Sequence, residues 1–269
     1  MEILGYVLAV IVGLSLGLIG SGGSILTVPI LVYVLGINPV LATAYSLFIV
    51  GSTSLVGGAQ SCRQKQVDFK TVLIFGIPSV AAVYITRMWL VPVIPQEIFS
   101  IGSVVITKPI ALMLLFAVVM ILASISMMRP TKLCDQQESA QLHYNYPLIL
   151  VEGLVVGLLT GLIGAGGGFL IIPALVLLAK MPMKMAVGTS LFIIAVKSLM
   201  GFIGDVQGDQ LIDWKLLGSF TALAIAGVFA GIILSKKIPG EKLKIAFGWF
   251  VLVMGMYIII KELFFPGGH

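Results

Sequence analysis

Long apolar runs alternate with short polar interruptions from one end of the chain to the other. Apolar segments occupy about 3–37, 40–60, 70–93 and 106–128, then 147–180, 184–204, 214–235 and 243–264. Between these two sets lies the polar stretch RPTKLCDQQESAQLHYNY, residues 129–146, which predicts a cytoplasmic linker. A helix needs about 20 apolar residues to cross roughly 30 Å of hydrocarbon, and each segment reaches that length. The pattern predicts an all-α polytopic membrane protein in two units, 1–128 and 147–269.

The two units are related in sequence. Residues 13–58 align without a gap on 157–202, at a constant spacing of 144 residues, with about twenty identities. The first block reads GLSLGLIGSGGSILTVPILV and its partner GLLTGLIGAGGGFLIIPALV. Farther on, Ser46-Leu47-Phe48-Ile49 matches Ser190-Leu191-Phe192-Ile193. After one inserted residue, Val67-Asp68-Phe69-Lys70 matches Ile212-Asp213-Trp214-Lys215. Matched glycines and a matched proline, Pro29 with Pro173, mark a duplication rather than a shared apolar alphabet.

The first segment of each unit is too long for one crossing and is cut by glycine, at Gly20-Ser21-Gly22-Gly23 and Gly164-Ala165-Gly166-Gly167-Gly168. It is either one broken crossing or a hairpin that turns back at the glycines. Basic residues collect in cytoplasmic loops, which decides between the two. With single crossings they divide almost evenly. With hairpins, eleven fall on one face, and Arg87, Lys108, Lys215 and Lys261 on the other, with Lys197 inside the membrane. The hairpin arrangement gives each unit an odd number of passages and predicts two inverted-topology repeats, each a glycine-broken hairpin followed by three transmembrane helices. Such repeats are characteristic of secondary transporters, with the binding site at their interface. Both termini are then expected outside the cytoplasm, in a bacterial or archaeal inner membrane.

Broken helices survive at membrane depth only where protein or a water-filled cavity covers the freed backbone. A half-helix starting after a break presents N–H groups and the positive end of its dipole, and glycine allows an anion to approach closely. Gly20, Gly22, Gly23, Gly164, Gly166, Gly167 and Gly168 are therefore candidate substrate-binding residues together with Ala165. Ser21 and Ser24 offer hydroxyls in the first unit where the second has Ala165 and Gly168. Gly13, Gly17, Gly157 and Gly161 have the four-residue spacing of close helix packing instead. Neither cluster is a nucleotide loop, since Gly-Lys-Ser/Thr is absent and Ile25 and Phe169 break the GxGxxG pattern.

Lys197 is the one basic residue deep in an apolar helix, with Thr53 at the matching position. An intramembrane charge is costly and points to function. It supplies positive charge for an anionic substrate, pairs with Asp205 about two turns away, or reaches to the surface. Ser46, Thr189 and Ser190 on the equivalent helices are candidate pathway hydroxyls, the alternative being bonds to their own helix backbone. Glu152 reads as a proton site or an interfacial carboxylate.

Composition agrees with the bilayer as solvent. Hydrophobic residues are 59% of the chain and charged residues 10%, against about 25% charged in soluble domains. The net charge of +5 reflects topology rather than nucleic-acid binding. Glu2 stands where a signal peptide would be basic, so the chain is expected to start at Met1. Cys62 and Cys134, both in expected loops, form no disulfide framework or metal motif. The two histidines, His143 and His269, make no catalytic or metal pattern. No cofactor or metal is expected; the expected partners are a small anion and the lipid bilayer, with a homo-oligomer left open.

With GLIGSGGSILTVPIL and GLIGAGGGFLIIPAL, and the helices that follow from Ala42 to Leu47 and from Ala186 to Leu191, nearly the whole chain resembles the TauE/SafE family of sulfite exporters and related permeases. The resemblance implies passage of sulfur-containing anions such as sulfite, sulfonates or thiosulfate. An inside-negative potential drives each negative charge outward by about 2.3 kcal/mol per 100 mV, which favours export. The alternatives are a non-transporting scaffold subunit, a transporter of an unrelated small solute, and an intramembrane enzyme, for which acids, bases and metal ligands are lacking.

Overall fold

A computed structural model describes residues 2–101, 104–128, 146–177, 181–206, 212–235 and 240–264. The linker residues 129–145, with Cys134 and His143, lie outside the described residues. In the first unit, α1 (Glu2–Ile19) runs into a 3-10 stretch (Gly20–Leu26) and then α2 (Thr27–Tyr33), followed by α3 (Pro39–Arg63) and α4 (Phe69–Ile85). A π-helical turn (Thr86–Leu90) and the short α5 (Val91–Val93) extend α4. The strands β1 (Glu97–Ile101) and β2 (Val104–Thr107) pair antiparallel before α6 (Lys108–Met128). The second unit contains α7 (Tyr146–Ile163), α8 (Gly168–Leu177), α9 (Met183–Val206), α10 (Trp214–Ser235) and α11 (Gly240–Phe264).

The protein is thus an all-α polytopic membrane protein. Among the described residues, five helical spans are long and apolar enough to cross a bilayer: Pro39–Arg63, Phe69–Val93, Lys108–Ile125, Met185–Val206 and Trp214–Leu234. The β-hairpin departs from the purely helical expectation. Its strands carry Ile98, Phe99, Ile101 and Val104–Ile106, β-branched and aromatic residues that suit strands. The helix α3 also runs past the expected end at residue 60, so Cys62 lies in its last turn, half-buried, rather than in a loop.

Helix starts are set by local chemistry. Asn38 accepts from the Val40 amide at the head of α3, with Pro39 in the first turn. Asp68 caps α4 by accepting from the amides of Lys70 and Thr71, and Asp213 caps α10 from those of Lys215 and Leu216. These two aspartates occupy matching places in the sequence duplication. Their own amides also make matching bonds: Asp68 N donates to Thr189 Oγ1 at 2.9 Å, and Asp213 N to Tyr45 Oη at 2.6 Å. Thr189 and Tyr45 are themselves 144 residues apart.

The main helix pairings join elements of different units: α1 with α10, α3 with α9, and α4 with α7 and α9. Glycines set the close approaches. A methyl group built on Gly13 would lie 2.6 Å from the carbonyl carbon of Ala224, and one on Gly157 would lie 2.5 Å from the Ser79 carbonyl oxygen. These glycines serve packing, as their spacing suggested, because neither place has room for a side chain. The helices α3 and α9 cross antiparallel: Gly57 faces Leu191, and Gly201 faces Leu47. A buried apolar core runs through Leu16, Leu31, Leu47, Phe116, Phe220 and Ile258. Large apolar side chains on the outer faces stay exposed, among them Ile77, Trp89, Ile233 and Val253, as lipid contact requires.

Candidate functional site

The two glycine breaks differ in backbone form. In the first, Gly20 alone has a positive φ, +73°, and the 3-10 stretch passes into α2 through Leu26 in right-handed helical conformation. No open helix start is presented there. In the second, Gly164, Gly166 and Gly167 have φ of +74°, +67° and +64°. Three left-handed residues in four make an open turn that side chains would strain. The Gly167 carbonyl accepts from the amides of Leu170 and Ile171, so the first turn of α8 opens onto Gly167.

Each break rests on the other unit's helix. A methyl group on Gly20 would lie 2.5 Å from Val187 Cγ1, and one on Gly164 would lie 2.5 Å from the Thr43 carbonyl oxygen. Val187 and Thr43 are again matching positions, on α9 and α3. Gly166 faces Val50 and Ile194 in the same way, so the second break lies between α3 and α9. Leu159, Thr160, Ile163, Ala165, Gly167 and Leu170 line a crevice beside it, closed even to a water-sized sphere.

Lys197 on α9 reaches this break. Its side chain is fully buried, and Nζ donates to Thr160 Oγ1 at 3.0 Å. Gly167 leaves the room it occupies, since a methyl group there would lie 3.0 Å from Nζ and collide with Thr160 Oγ1. Complete burial rules out a reach to the surface. Asp205 is not its partner either, for Asp205 pairs with Arg87. Among the described residues, no carboxylate lies within ion-pair distance of Lys197. A buried ammonium therefore sits near the positive end of the α8 dipole, two like-signed features without a counter-charge.

The other candidates fall in several settings. Ser24 is buried at the first break; Ser21, Gly22 and Gly23 continue the 3-10 stretch. Ala165 and Gly168 are buried at the second break. Ser190 Oγ donates to the Val187 carbonyl of its own helix, while Thr189 accepts from Asp68 N. Among the described residues, Ser46 Oγ is buried without a hydrogen-bond partner, as are the matched hydroxyls of Ser54 and Ser198. Glu152 is half-buried on α7.

Arg87 is the residue sequence reasoning missed. Counted among the charges of a membrane face, it is 1% exposed and sits in the π turn after α4, a backbone form often found at functional sites. Its Nη1 lies 3.4 Å from Asp205 Oδ2 and donates to Thr43 Oγ1 at 2.9 Å. Nε and Nη2 have no partner among the described residues. Thr43 thus joins the Arg87–Asp205 pair to Gly164. Lys108, counted on the same face, is also buried and donates to the Val91 carbonyl.

Comparison with known proteins agrees with this membrane architecture. The profile of the family described as sulfite exporter TauE/SafE matches residues 6–262. A probable membrane transporter protein of Xylella fastidiosa (strain 9a5c) is 28% identical over 94% of this chain and 92% of its own length. The probable membrane transporter protein YunE of Bacillus subtilis is 27% identical over 96% and 99%. A probable membrane transporter protein of Methanocaldococcus jannaschii is 28% identical over 94% and 95%. No solved structure gives a significant match. On the family match over nearly its whole length, the chain belongs to the TauE/SafE sulfite exporter family and is a membrane transporter rather than an enzyme.

Proposed function

We propose that the protein is a secondary permease exporting small sulfur-containing anions such as sulfite, sulfonates or thiosulfate across the inner membrane, with the anion held at the second glycine break. The observation that carries this reading is Lys197: fully buried, bonded to Thr160, and beside Gly167 without a carboxylate partner among the described residues. Burying an uncompensated charge is strongly unfavourable. An oxyanion beside Nζ, near the positive end of the α8 dipole, would supply the missing counter-charge. Export then needs only the membrane potential. In this reading Gly20 and Ser24 of the first break, and the hydroxyls of Ser46, Thr189 and Ser190, also line the pathway.

The inverted-repeat reading rests on the same contacts. Matched helices α3 and α9 pack antiparallel, and matched residues exchange matched contacts, Gly20 with Val187 and Gly164 with Thr43. A methyl group on Gly5 would lie 2.5 Å from Leu35 Cδ2. The segment that begins near residue 3 therefore returns to its starting level by residue 37, which supports a hairpin over a single crossing.

Proteoliposomes loaded with labelled sulfite or thiosulfate, under an imposed potential, test the function. Flux should follow the potential and fall at least about tenfold in Lys197→Met, the scale of one lost charged hydrogen bond. Undiminished flux in that variant would remove the anion from this site. Absence of flux of any sulfur anion by folded wild-type protein would overturn the substrate class.

A further inference from the structure

We propose that the unpartnered edge of Arg87 is a second oxyanion subsite, at the end of the bundle where α9 ends, and that Asp205 holds Arg87 until the anion arrives. This rests on the anion-permease reading above and extends it to a second position on the pathway. The guanidinium is buried to 1% exposure, yet it uses one nitrogen, Nη1, for both Asp205 and Thr43. Nε and Nη2 form the planar fork that binds a carboxylate or oxyanion through two parallel hydrogen bonds. Both are buried and, among the described residues, without partners, a state that costs free energy unless something else fills it.

A purely architectural role fits poorly. The duplication places Ile232 where the second-unit contact has Arg87, Ser61 where it has Asp205, and Val187 where it has Thr43. The packing is the same in kind: Gly161 abuts Thr86, and Gly17 abuts Gly231 and Ile232. The positions that match this ion pair and its threonine therefore carry no charge. The ion pair is also long, at 3.4 Å, which leaves Asp205 a replaceable counter-charge. Through Thr43 the cluster meets Gly164, the start of the second break, while Lys197 meets Gly167 at its end. Asp205 follows Lys197 by eight residues, about 12 Å along α9. An anion leaving Lys197 would pass the break and be received by Arg87, with Asp205 displaced as it binds and restored as it departs.

Asp205→Asn, Arg87→Lys and the charge-neutral double variant Arg87→Gln/Asp205→Asn test this, the double variant guarding against loss of folding from a lone buried charge. Two readouts are used: thermal stabilisation of purified protein by thiosulfate and sulfite, and the concentration dependence of their flux in proteoliposomes. The concentration giving half-maximal flux should rise about tenfold or more in the double variant and in Arg87→Lys, which keeps the charge but loses the fork, and fall in Asp205→Asn. A double variant with wild-type concentration dependence in both readouts would overturn the subsite and leave the ion pair structural. If flux is lost in Lys197→Met while the double variant stays normal, the Arg87 subsite alone is wrong. If wild-type protein neither moves nor is stabilised by either anion, the permease reading fails and this inference with it.

Discussion

Gly164 lies so close to Thr43 that a methyl group on it would sit 2.5 Å from the Thr43 carbonyl oxygen and 2.6 Å from its Cα. The matching contact in the other half, Gly20 with Val187, involves only the tip of a side chain. Both glycines have a positive φ, so alanine at either costs about 1–2 kcal/mol from backbone conformation alone. Only at Gly164 does backbone add a clash that cannot rotate away. Gly164→Ala is therefore expected to destabilise the protein more than Gly20→Ala in thermal unfolding in detergent. Adding Val187→Ala should relieve part of the Gly20→Ala loss, whereas Thr43→Ser should not relieve that of Gly164→Ala.

Among the described residues, the hydroxyl of Thr160 is the hydrogen-bond partner of the Lys197 ammonium. Thr160→Val preserves shape and removes that acceptor, at a cost of about 1–3 kcal/mol for a buried group left unpaired. Adding Lys197→Met should restore stability, because no charge remains to satisfy. Anion flux should stay lost. Recovery of flux together with stability would show that Lys197 serves the fold alone.

Close-packed and open glycines should separate cleanly. Gly13 and Gly157 meet the backbone of the facing helix, while a methyl group on Gly218 meets nothing within 4 Å. Alanine at Gly13 or Gly157 must push α1 from α10, or α7 from α4, and should lower the melting temperature by several degrees, as a loss of 1–3 kcal/mol would. Gly218→Ala, at an exposed position near the start of α10, should be neutral or slightly stabilising.

The proposed inverted arrangement predicts which thiols face which side. In intact cells, Cys62 at the end of α3 should resist an impermeant thiol reagent. A cysteine introduced at the exposed Gln96, before β1, should react in a background lacking Cys62 and Cys134. Labelling of Cys62 from outside, with Gln96→Cys protected, would reverse the orientation.

Much of the architecture was legible in the order of residues. Membrane crossings follow from the length of apolar runs, and the duplication from matched glycines and prolines. These are local or repeated properties, decided by each segment's exchange of water for lipid. Asp68 and Asp213 stood out only as matched residues, and their capping of α4 and α10 came from the structure. The β-hairpin at Glu97–Thr107 falls mostly in the gap between the expected segments 70–93 and 106–128, where its apolar runs are too short to cross a membrane.

The site divides along the same line. That Lys197 is costly in an apolar helix, and that the glycine clusters break theirs, is readable from the sequence. Which partner the lysine chooses is not. Asp205 lies on the same helix face by spacing, yet it pairs with Arg87, 118 positions earlier in the chain. Lys197 instead reaches Thr160 on a helix of the same half, where Gly167 leaves room. Arg87 looked like a surface charge because it stands near the end of an apolar run; packing of α4 against α9 buried it. Sequence by itself determined that the chain crosses the membrane as two related halves with broken leading segments, because hydropathy and duplication act residue by residue. Only the tertiary structure decided which charges meet, because that depends on which helices of the two halves cross and at what level.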